Sequence, residues 1–147
     1  MKSKLVALLC VLTIVFGLII YFAFPVPTKK IFPHSEDITV IHVELVRHND
    51  VLTTYFAEVA NNQKEIQGIM SILKSESYNR ELAYKPNLTN SPNAIQLLTN
   101  LYLIEVNDKG FLVVNGKKYK MMNRKDTVFN QLYSWLEENG VTSKERD

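Results

Sequence analysis

The sequence TVIHVELV (residues 39–46) alternates between two sets of side chains with a period of two residues. One parity carries Thr39, Ile41, Val43 and Leu45, and the other carries Val40, His42, Glu44 and Val46. Successive side chains of a β-strand point to opposite faces of a sheet, so this period is typical of a strand with one buried face. We therefore predict a strand here, with its more apolar parity in a core.

The residues that follow predict the partner of this strand. RHND (residues 47–50) contains Asn and Asp, which tolerate the backbone conformations of a turn. LTTYFAEVA (residues 52–60) then places Tyr55, Ala57 and Val59 on one side of a second strand. The two strands are expected to form a hairpin.

Two helices are predicted from their apolar stripes. Asn62 and Glu65 have the spacing of a capping box, which marks the start of the first helix. Its stripe is Ile66, Ile69, Met70 and Leu73, and that of the second helix is Phe129, Leu132, Tyr133 and Leu136. Both stripes follow the i, i+3, i+4, i+7 pattern of a helix packed against a core. Gly140 stands where a helix C-terminus favours glycine.

Three further strands are predicted between these helices. AIQLLTNLYLIEV (residues 94–106) is apolar on both faces, which fits a strand covered on both sides or a short helix that runs into a strand. FLVV (residues 111–114) and KKYKMM (residues 117–122) flank Asn115 and Gly116. An Asn-Gly pair between two such runs is a strong signal for a tight β-hairpin.

The predicted order of elements after the N-terminal segment is therefore β-β-α-β-β-β-α. This order indicates an α+β domain with a mostly antiparallel sheet and packed helices. The available length of about 110 residues suffices for one hydrophobic core rather than two. We predict a single domain over residues 38–140 and a frayed tail over residues 141–147.

The N-terminal segment predicts a transmembrane anchor over residues 1–27. Residues 5–24 carry no charge and, as a helix with about 1.5 Å rise per residue, would span roughly 30 Å of hydrocarbon. A cleaved signal peptide has a shorter apolar stretch and small residues at its cleavage site, and Cys10 lacks the sequence context of a lipid-attachment site. Residues 28–37 are predicted to be an extended stalk, because the stretch PVPTKKIFPHSED (residues 25–37) contains three prolines.

The charged residues predict on which side of the membrane the domain lies, and they argue against a nucleic-acid partner. Lys2 and Lys4 favour an N-terminus inside the cell, although Lys29 and Lys30 flank the other end of the anchor. We expect a single-pass protein of the cell membrane, held in the bilayer through residues 5–24, with its C-terminal domain outside the cytoplasm. All fifteen acidic residues and fifteen of the seventeen basic residues follow the anchor, so the domain is neutral and no nucleic-acid partner is expected.

The sequence contains no recognisable catalytic or cofactor motif, and we expect no enzyme activity and no cofactor. It has no nucleophile elbow and no phosphate-binding glycine loop. His42, Glu44 and His48 share one face of the predicted strand, but the two histidines would lie roughly 20 Å apart on an extended strand. We therefore predict no metal site there.

A run of basic residues is the one candidate contact site in the sequence. It contains no acidic residue and comprises Lys117, Lys118, Lys120, Arg124 and Lys125. Beside a membrane anchor, such a run would contact anionic lipid headgroups or an anionic wall polymer. The alternative is a solvated hairpin rim that discourages pairing between sheet edges.

The chain also resembles a group of known domains. A helix, the loop NLTNSPN (residues 87–93), a long strand and the hairpin FLVVNGKKYKM (residues 111–121) are similar to small extracytoplasmic domains of unknown function in Gram-positive bacteria. The resemblance covers roughly residues 38–122. It implies a bacterial, extracytoplasmic domain and assigns no functional residue.

Three functional hypotheses follow. The first is a membrane-tethered, extracytoplasmic interaction module that binds a protein, a peptide or an envelope component and performs no chemistry. The second is an accessory subunit of a membrane complex, and the third is an enzyme with a dispersed active site.

Overall fold

The alternating stretch at residues 39–46 forms the centre of an antiparallel sheet. The computed structural model describes residues 2–47, 55–81, 93–123 and 126–142. The helices are α1 (Lys2–Ala23), α2 (Thr28–Ile31), a 3-10 turn (Ser35–Asp37), α3 (Gln63–Lys74) and α4 (Thr127–Asn139). The strands are β1 (Val40–Arg47), β2 (Tyr55–Ala60), β3 (Tyr78–Arg80), β4 (Asn93–Thr99), β5 (Leu103–Asn107), β6 (Phe111–Val114), β7 (Lys117–Met121) and β8 (Val141–Thr142).

All neighbouring strands are antiparallel, and their order across the sheet is β3-β7-β6-β5-β4-β1-β2-β8. Helices α3 and α4 pack on one face of this sheet, where Ile41, Val43 and Leu45 are at most 1% exposed. The α+β class and the antiparallel sheet are therefore confirmed, as is the pairing of β1 with β2. The predicted turn at residues 48–50 lies outside the described residues.

The helix signals are confirmed in detail for α3. The Asn62 side chain accepts a hydrogen bond from the Glu65 amide at 3.3 Å, and its own amide donates to the Glu65 carboxylate at 2.9 Å. This reciprocal pair satisfies one of the free N–H groups at the start of the helix. The stripe predicted to face the core is fully buried, as expected for Ile66, Ile69, Met70 and Leu73.

Between α3 and α4 the described residues form five strands, where three were predicted. The apolar run at residues 94–106 is neither one strand nor a helix, because a tight turn divides it into β4 and β5. The Thr99 hydroxyl accepts hydrogen bonds from the amides of Leu101 and Tyr102 at 3.0 and 2.7 Å and closes this turn. The predicted turn at Asn115 and Gly116 is confirmed, and both residues have a positive φ, of 48° and 79°.

The extended stalk predicted for residues 28–37 is wrong. Residues 28–31 form the helical turn α2, and residues 35–37 form a 3-10 turn. Ile31 and Phe32 are buried in the same core as the sheet, at 5% and 1% exposure. Burial of these two large apolar side chains folds the segment onto the domain, and this outweighs the extended preference of the prolines.

The predicted frayed tail is also corrected at its first two residues. Val141 and Thr142 form β8, which pairs with Phe56 and Tyr55 at the start of β2. The turn from α4 to β8 requires Gly140, because a Cβ there would lie 2.5 Å from the Leu136 carbonyl oxygen. Residues 143–147 lie outside the described part of the chain.

Helix α1 is the exception to this packing. Its apolar side chains are exposed along the helix, and residues 4–23 are long and apolar enough to cross a bilayer. The backbone that follows joins the sheet, because Val26 forms a β-bridge with Tyr78 of β3. The end of α1 is thereby held against the β3 edge of the sheet.

Candidate functional site

A cleft lies where the end of α1 meets the β3–β7 edge, and we call it the juxtahelical cleft. Its volume is about 530 Å³. Its lining residues are Tyr21, Phe22, Val26, Lys30, Arg80, Glu81, Gly116, Lys117, Lys118 and Tyr119. The Val26 amide donates a 2.7 Å hydrogen bond to the Tyr78 carbonyl and fixes the distance between the two walls.

Arg80 connects the two walls of the cleft. Its Nη1 donates a hydrogen bond to the Tyr21 carbonyl at 3.1 Å, and its Cζ lies 4.1 Å from the centre of the Tyr21 ring. The last carbonyls of a helix have no partner within the helix and carry partial negative charge, so a cation there is favourable. Arg80 therefore stabilises the end of α1 while its remaining N–H groups stay available to the cleft.

Three lysines complete the positive charge of the cleft. Lys30 follows the anchor, and Lys117 and Lys118 come from β7 next to β3. The Lys118 ammonium lies 4.0 Å from the centre of the Phe111 ring, which holds it toward the outer face of the sheet. Within the described part of the chain, no carboxylate oxygen lies within 4.0 Å of the charged nitrogens of these lysines or of Arg80.

The rest of the lining is aromatic and apolar, with one acidic side chain. Burial raises the pKa of the Tyr119 phenol; the nearby Arg80 lowers this pKa in part and Tyr21 raises it, so the net change is upward. The phenol therefore remains protonated at neutral pH and is a hydrogen-bond donor. Phe22 and Val26 form an apolar wall, and Glu81 is the carboxylate in the described lining.

The structure brings together part of the predicted basic run. Lys117 and Lys118 line the cleft, whereas Lys120 is exposed on the outer face, opposite Phe111 in the sheet register. Arg124 and Lys125 lie outside the described residues.

Sequence reasoning missed Lys30 and Arg80 as members of the site. Lys30 flanks the predicted anchor. Its position in the sequence was informative about the orientation in the membrane, but not about ligand binding. Arg80 has no cationic neighbour in the sequence, and β3 is three residues long. Its place beside Lys117 follows from the pairing of β3 with β7, in which Arg80 lies opposite Tyr119.

The other candidate groups lie elsewhere. His42 and Glu44 project from the outer face of β1 as predicted, and His48 lies outside the described residues. His42 Nδ1 lies 3.4 Å from a carboxylate oxygen of Glu58. His42, Glu44, Phe56, Gln96, Leu98 and Leu103 line a second cleft of about 330 Å³ on this face.

A possible metal-ligand group escaped the sequence analysis. His34, Glu36 and Asp37 bring ligand atoms within 4.8 Å of one another at the 3-10 turn. All three side chains are exposed, and His34 Nδ1 already lies 3.6 Å from a carboxylate oxygen of Asp37. Exposed groups of this kind occur in turns without a metal, and we assign none here.

The juxtahelical cleft contains groups that can bind an anion. Its described lining offers cations, aromatic rings and apolar surface, and it includes no Ser, Cys or His as a nucleophile or general base. No protein-family model, curated protein or solved structure matches this chain. The function is therefore argued from the geometry of the cleft and of α1.

Proposed function

We propose that this chain is a membrane-tethered binding module without catalytic activity, and that it binds an anionic component of the cell envelope in the juxtahelical cleft. The observation that carries the proposal is that Lys30, Arg80 and Lys117 line a cleft beside the last turn of an apolar, exposed helix; Lys118 also lines it, with its ammonium over the Phe111 ring. The cleft carries one carboxylate against these four cations, so it attracts anions although the domain as a whole is neutral.

The anchor in this proposal is α1. Twenty residues, from Lys4 to Ala23, meet the length and composition of a membrane span, and none of this segment is buried against the domain. Exposure of a continuous apolar helix to water is unfavourable, so a bilayer is the environment that suits this surface. Tyr21 and Phe22 stand at the end of the span, where aromatic side chains favour the membrane interface.

The orientation in this proposal places the domain outside the cytoplasm, with α1 crossing the cell membrane once. Lys2 and Lys4 supply positive charge at the inner end. The resemblance to extracytoplasmic domains of Gram-positive bacteria agrees with this orientation. Lipid headgroups and anionic wall polymers are then the two anionic materials within reach of the cleft.

Thiol labelling in intact cells tests the location. Cys10 is the sole cysteine of the chain, so Cys10→Ala combined with Glu137→Cys leaves one reactive thiol, on the exposed side of α4. We expect a membrane-impermeant maleimide to label this variant in intact cells, and the protein to remain in the membrane fraction after carbonate extraction. Labelling that requires permeabilised cells would contradict the orientation.

Binding is tested with the full chain reconstituted in zwitterionic nanodiscs. Fragments of anionic wall polymer and anionic lipid are offered as separate probes. We expect at least one probe to bind, and the double variant Arg80→Gln/Lys117→Gln to lose that binding because half of the cations of the cleft are removed. Failure of every anionic probe to bind the unmodified chain would overturn the proposed function.

A further inference from the structure

We propose that the juxtahelical cleft holds one anionic phospholipid from the leaflet in which α1 ends, with the lipid phosphate at Arg80 and Lys117 and the acyl chains along α1. This inference rests on the proposed function, because it names the ligand of the same cleft. It selects a lipid over a wall polymer on three grounds: position, the donors available for a phosphate, and the apolar wall.

The position of the cleft matches the headgroup layer. Tyr21 and Phe22 belong both to the last turn of α1 and to the lining of the cleft, and the apolar span ends one residue later at Ala23. When this span fills the hydrocarbon core, its end lies at the boundary between hydrocarbon and headgroups. A phosphate in the cleft is then at the depth at which lipid phosphates already lie.

The donors of the cleft suit a phosphate. A guanidinium offers five N–H donors in a planar fork that matches two phosphate oxygens, and Arg80 commits one of its terminal nitrogens to the Tyr21 carbonyl. That contact also fixes the orientation of the guanidinium at the cleft. Lys30 and Lys117 are exposed and supply point charges from the two opposite walls.

The apolar wall distinguishes a lipid from a purely ionic polymer. Phe22 and Val26 line the cleft beside the cations, and the exposed apolar surface of α1 continues from Phe22 toward the N-terminus. A lipid places its phosphate among the cations and its acyl chains on this surface, so both parts of the ligand gain contacts. A hydrophilic polymer would leave the apolar wall uncovered.

Native mass spectrometry of the full chain, released from nanodiscs or mild detergent, counts the bound lipids. Phosphatidylglycerol is the anionic probe, phosphatidylcholine the zwitterionic comparator and inorganic polyphosphate the soluble polyanion. We expect one phosphatidylglycerol per chain and no retained phosphatidylcholine. Arg80→Gln should weaken phosphatidylglycerol binding about tenfold, the effect of losing a charge-assisted hydrogen bond, and Lys117→Gln about fivefold.

Lys120→Gln is the matched control. Lys120 lies on the same strand as Lys117 and loses the same charge, but it is exposed on the outer face and outside the cleft. We expect it to leave phosphatidylglycerol binding unchanged, and Glu81→Gln to strengthen it because repulsion in the cleft is removed. Arg80→Lys, which keeps the charge and loses the fork, should fall between Arg80 and Arg80→Gln.

Two results distinguish a failure of this inference from a failure of the proposed function. Polyphosphate binding that depends on Arg80 and Lys117, without phosphatidylglycerol binding, would overturn the lipid ligand and leave the anion-binding module standing. An equal loss in Lys120→Gln and Lys117→Gln would overturn the cleft as the site, since diffuse attraction depends on charge rather than on position. Because Lys117 is exposed and takes no part in the bridge between Val26 and Tyr78, its variant tests the inference even if Arg80→Gln weakens the fold.

Discussion

On the face of the sheet that α3 and α4 cover, Leu97 and its partner Ile104 are fully buried, whereas on the opposite face Leu98 and its partner Leu103 are each 54% exposed. Leu97 and Leu98 are adjacent in one strand and identical in chemistry. The difference between them is therefore set by which face the helices cover, and the same period of two is seen along β1. The covered face carries the large buried side chains, whereas the open face leaves large apolar side chains such as Leu98 and Leu103 half-exposed.

The largest expected effect is on the covered face. We expect Leu97→Ala to lower the free energy of unfolding by about 2–5 kcal/mol, because it removes buried methyl groups and leaves a cavity. Leu98→Ala should change this free energy by no more than about 0.5 kcal/mol. Urea unfolding of both variants checks the comparison, and equal losses would show that the two faces do not differ as described.

Gly140→Ala should cost about 1–3 kcal/mol of unfolding free energy, because the new Cβ would lie 2.5 Å from the Leu136 carbonyl oxygen and disturb the pairing of β8 with β2. Gly68→Ala is the matched control in α3, where a Cβ meets no atom within 4 Å. Alanine is the better helix former, so this control should gain about 0.5–1 kcal/mol. A stabilising Gly140→Ala would contradict the close approach.

Tyr78→Phe should cost about 1–2 kcal/mol, because the buried Tyr78 hydroxyl donates a 2.6 Å hydrogen bond to the Leu73 carbonyl at the end of α3. Burial, with a smaller contribution from Glu76, raises the pKa of this phenol in the folded protein above its unfolded value near 10. As the pH rises, the Tyr78 phenol therefore loses its proton at a lower pH in the unfolded chain than in the folded protein. For this reason Tyr78 makes the free energy of unfolding fall as the pH rises above about 10.

Unfolding measured at pH 7 and at pH 11 separates these two contributions. At pH 11 the deficit of Tyr78→Phe should be smaller than at pH 7, since the variant has no phenol at this position to ionise. A deficit that is the same at both pH values would contradict the raised pKa of Tyr78.

Glu105→Gln should have the smallest effect, a gain within about 0.5 kcal/mol at pH 7. Glu105 lies half-buried on the open face between Gln96 and Val113, and burial raises the pKa of its carboxyl group. A carboxyl group whose pKa is higher in the folded protein than in the unfolded chain stabilises the fold at low pH. That contribution is lost as the pH rises from the pKa of the unfolded chain through the pKa of the folded protein.

The gain from Glu105→Gln should therefore disappear when unfolding is measured below about pH 4, where both states of the unmodified chain carry a protonated carboxyl group. Glu44→Gln, on the open face and exposed, is a comparison variant of the same charge change and should leave the free energy of unfolding unchanged at both pH values. A gain from Glu105→Gln that persists at low pH would show that it does not come from the carboxyl charge.

Local signals explain which parts of the fold were predictable. The period of two in β1, the capping pair at Asn62 and Glu65, and the turn at Asn115 and Gly116 each act within a few residues, and the structure confirms all three. The turn at Thr99 was missed because a threonine hydroxyl can replace a backbone acceptor without Gly or Pro in the sequence.

Features that depend on tertiary packing could not be predicted from the sequence. The three prolines in residues 25–37 favoured an extended stalk, but burial of Ile31 and Phe32 decided the conformation. The candidate site divides in the same way: Lys117 and Lys118 were found from their local cluster, whereas Arg80 joins them through strand pairing across 37 positions of the chain.

The bridge between Val26 and Tyr78 also bears on how the domain could be released from its anchor. Proteases bind their substrates as unpaired, extended backbone, and exposed flexible segments are where cleavage concentrates. Here the residues after α1 are paired at Val26, helical at 28–31 and buried at Phe32. We therefore expect a protease that cuts between α1 and the domain to require local unfolding of this junction first, so that the rate of cleavage follows the stability of the Val26–Tyr78 bridge.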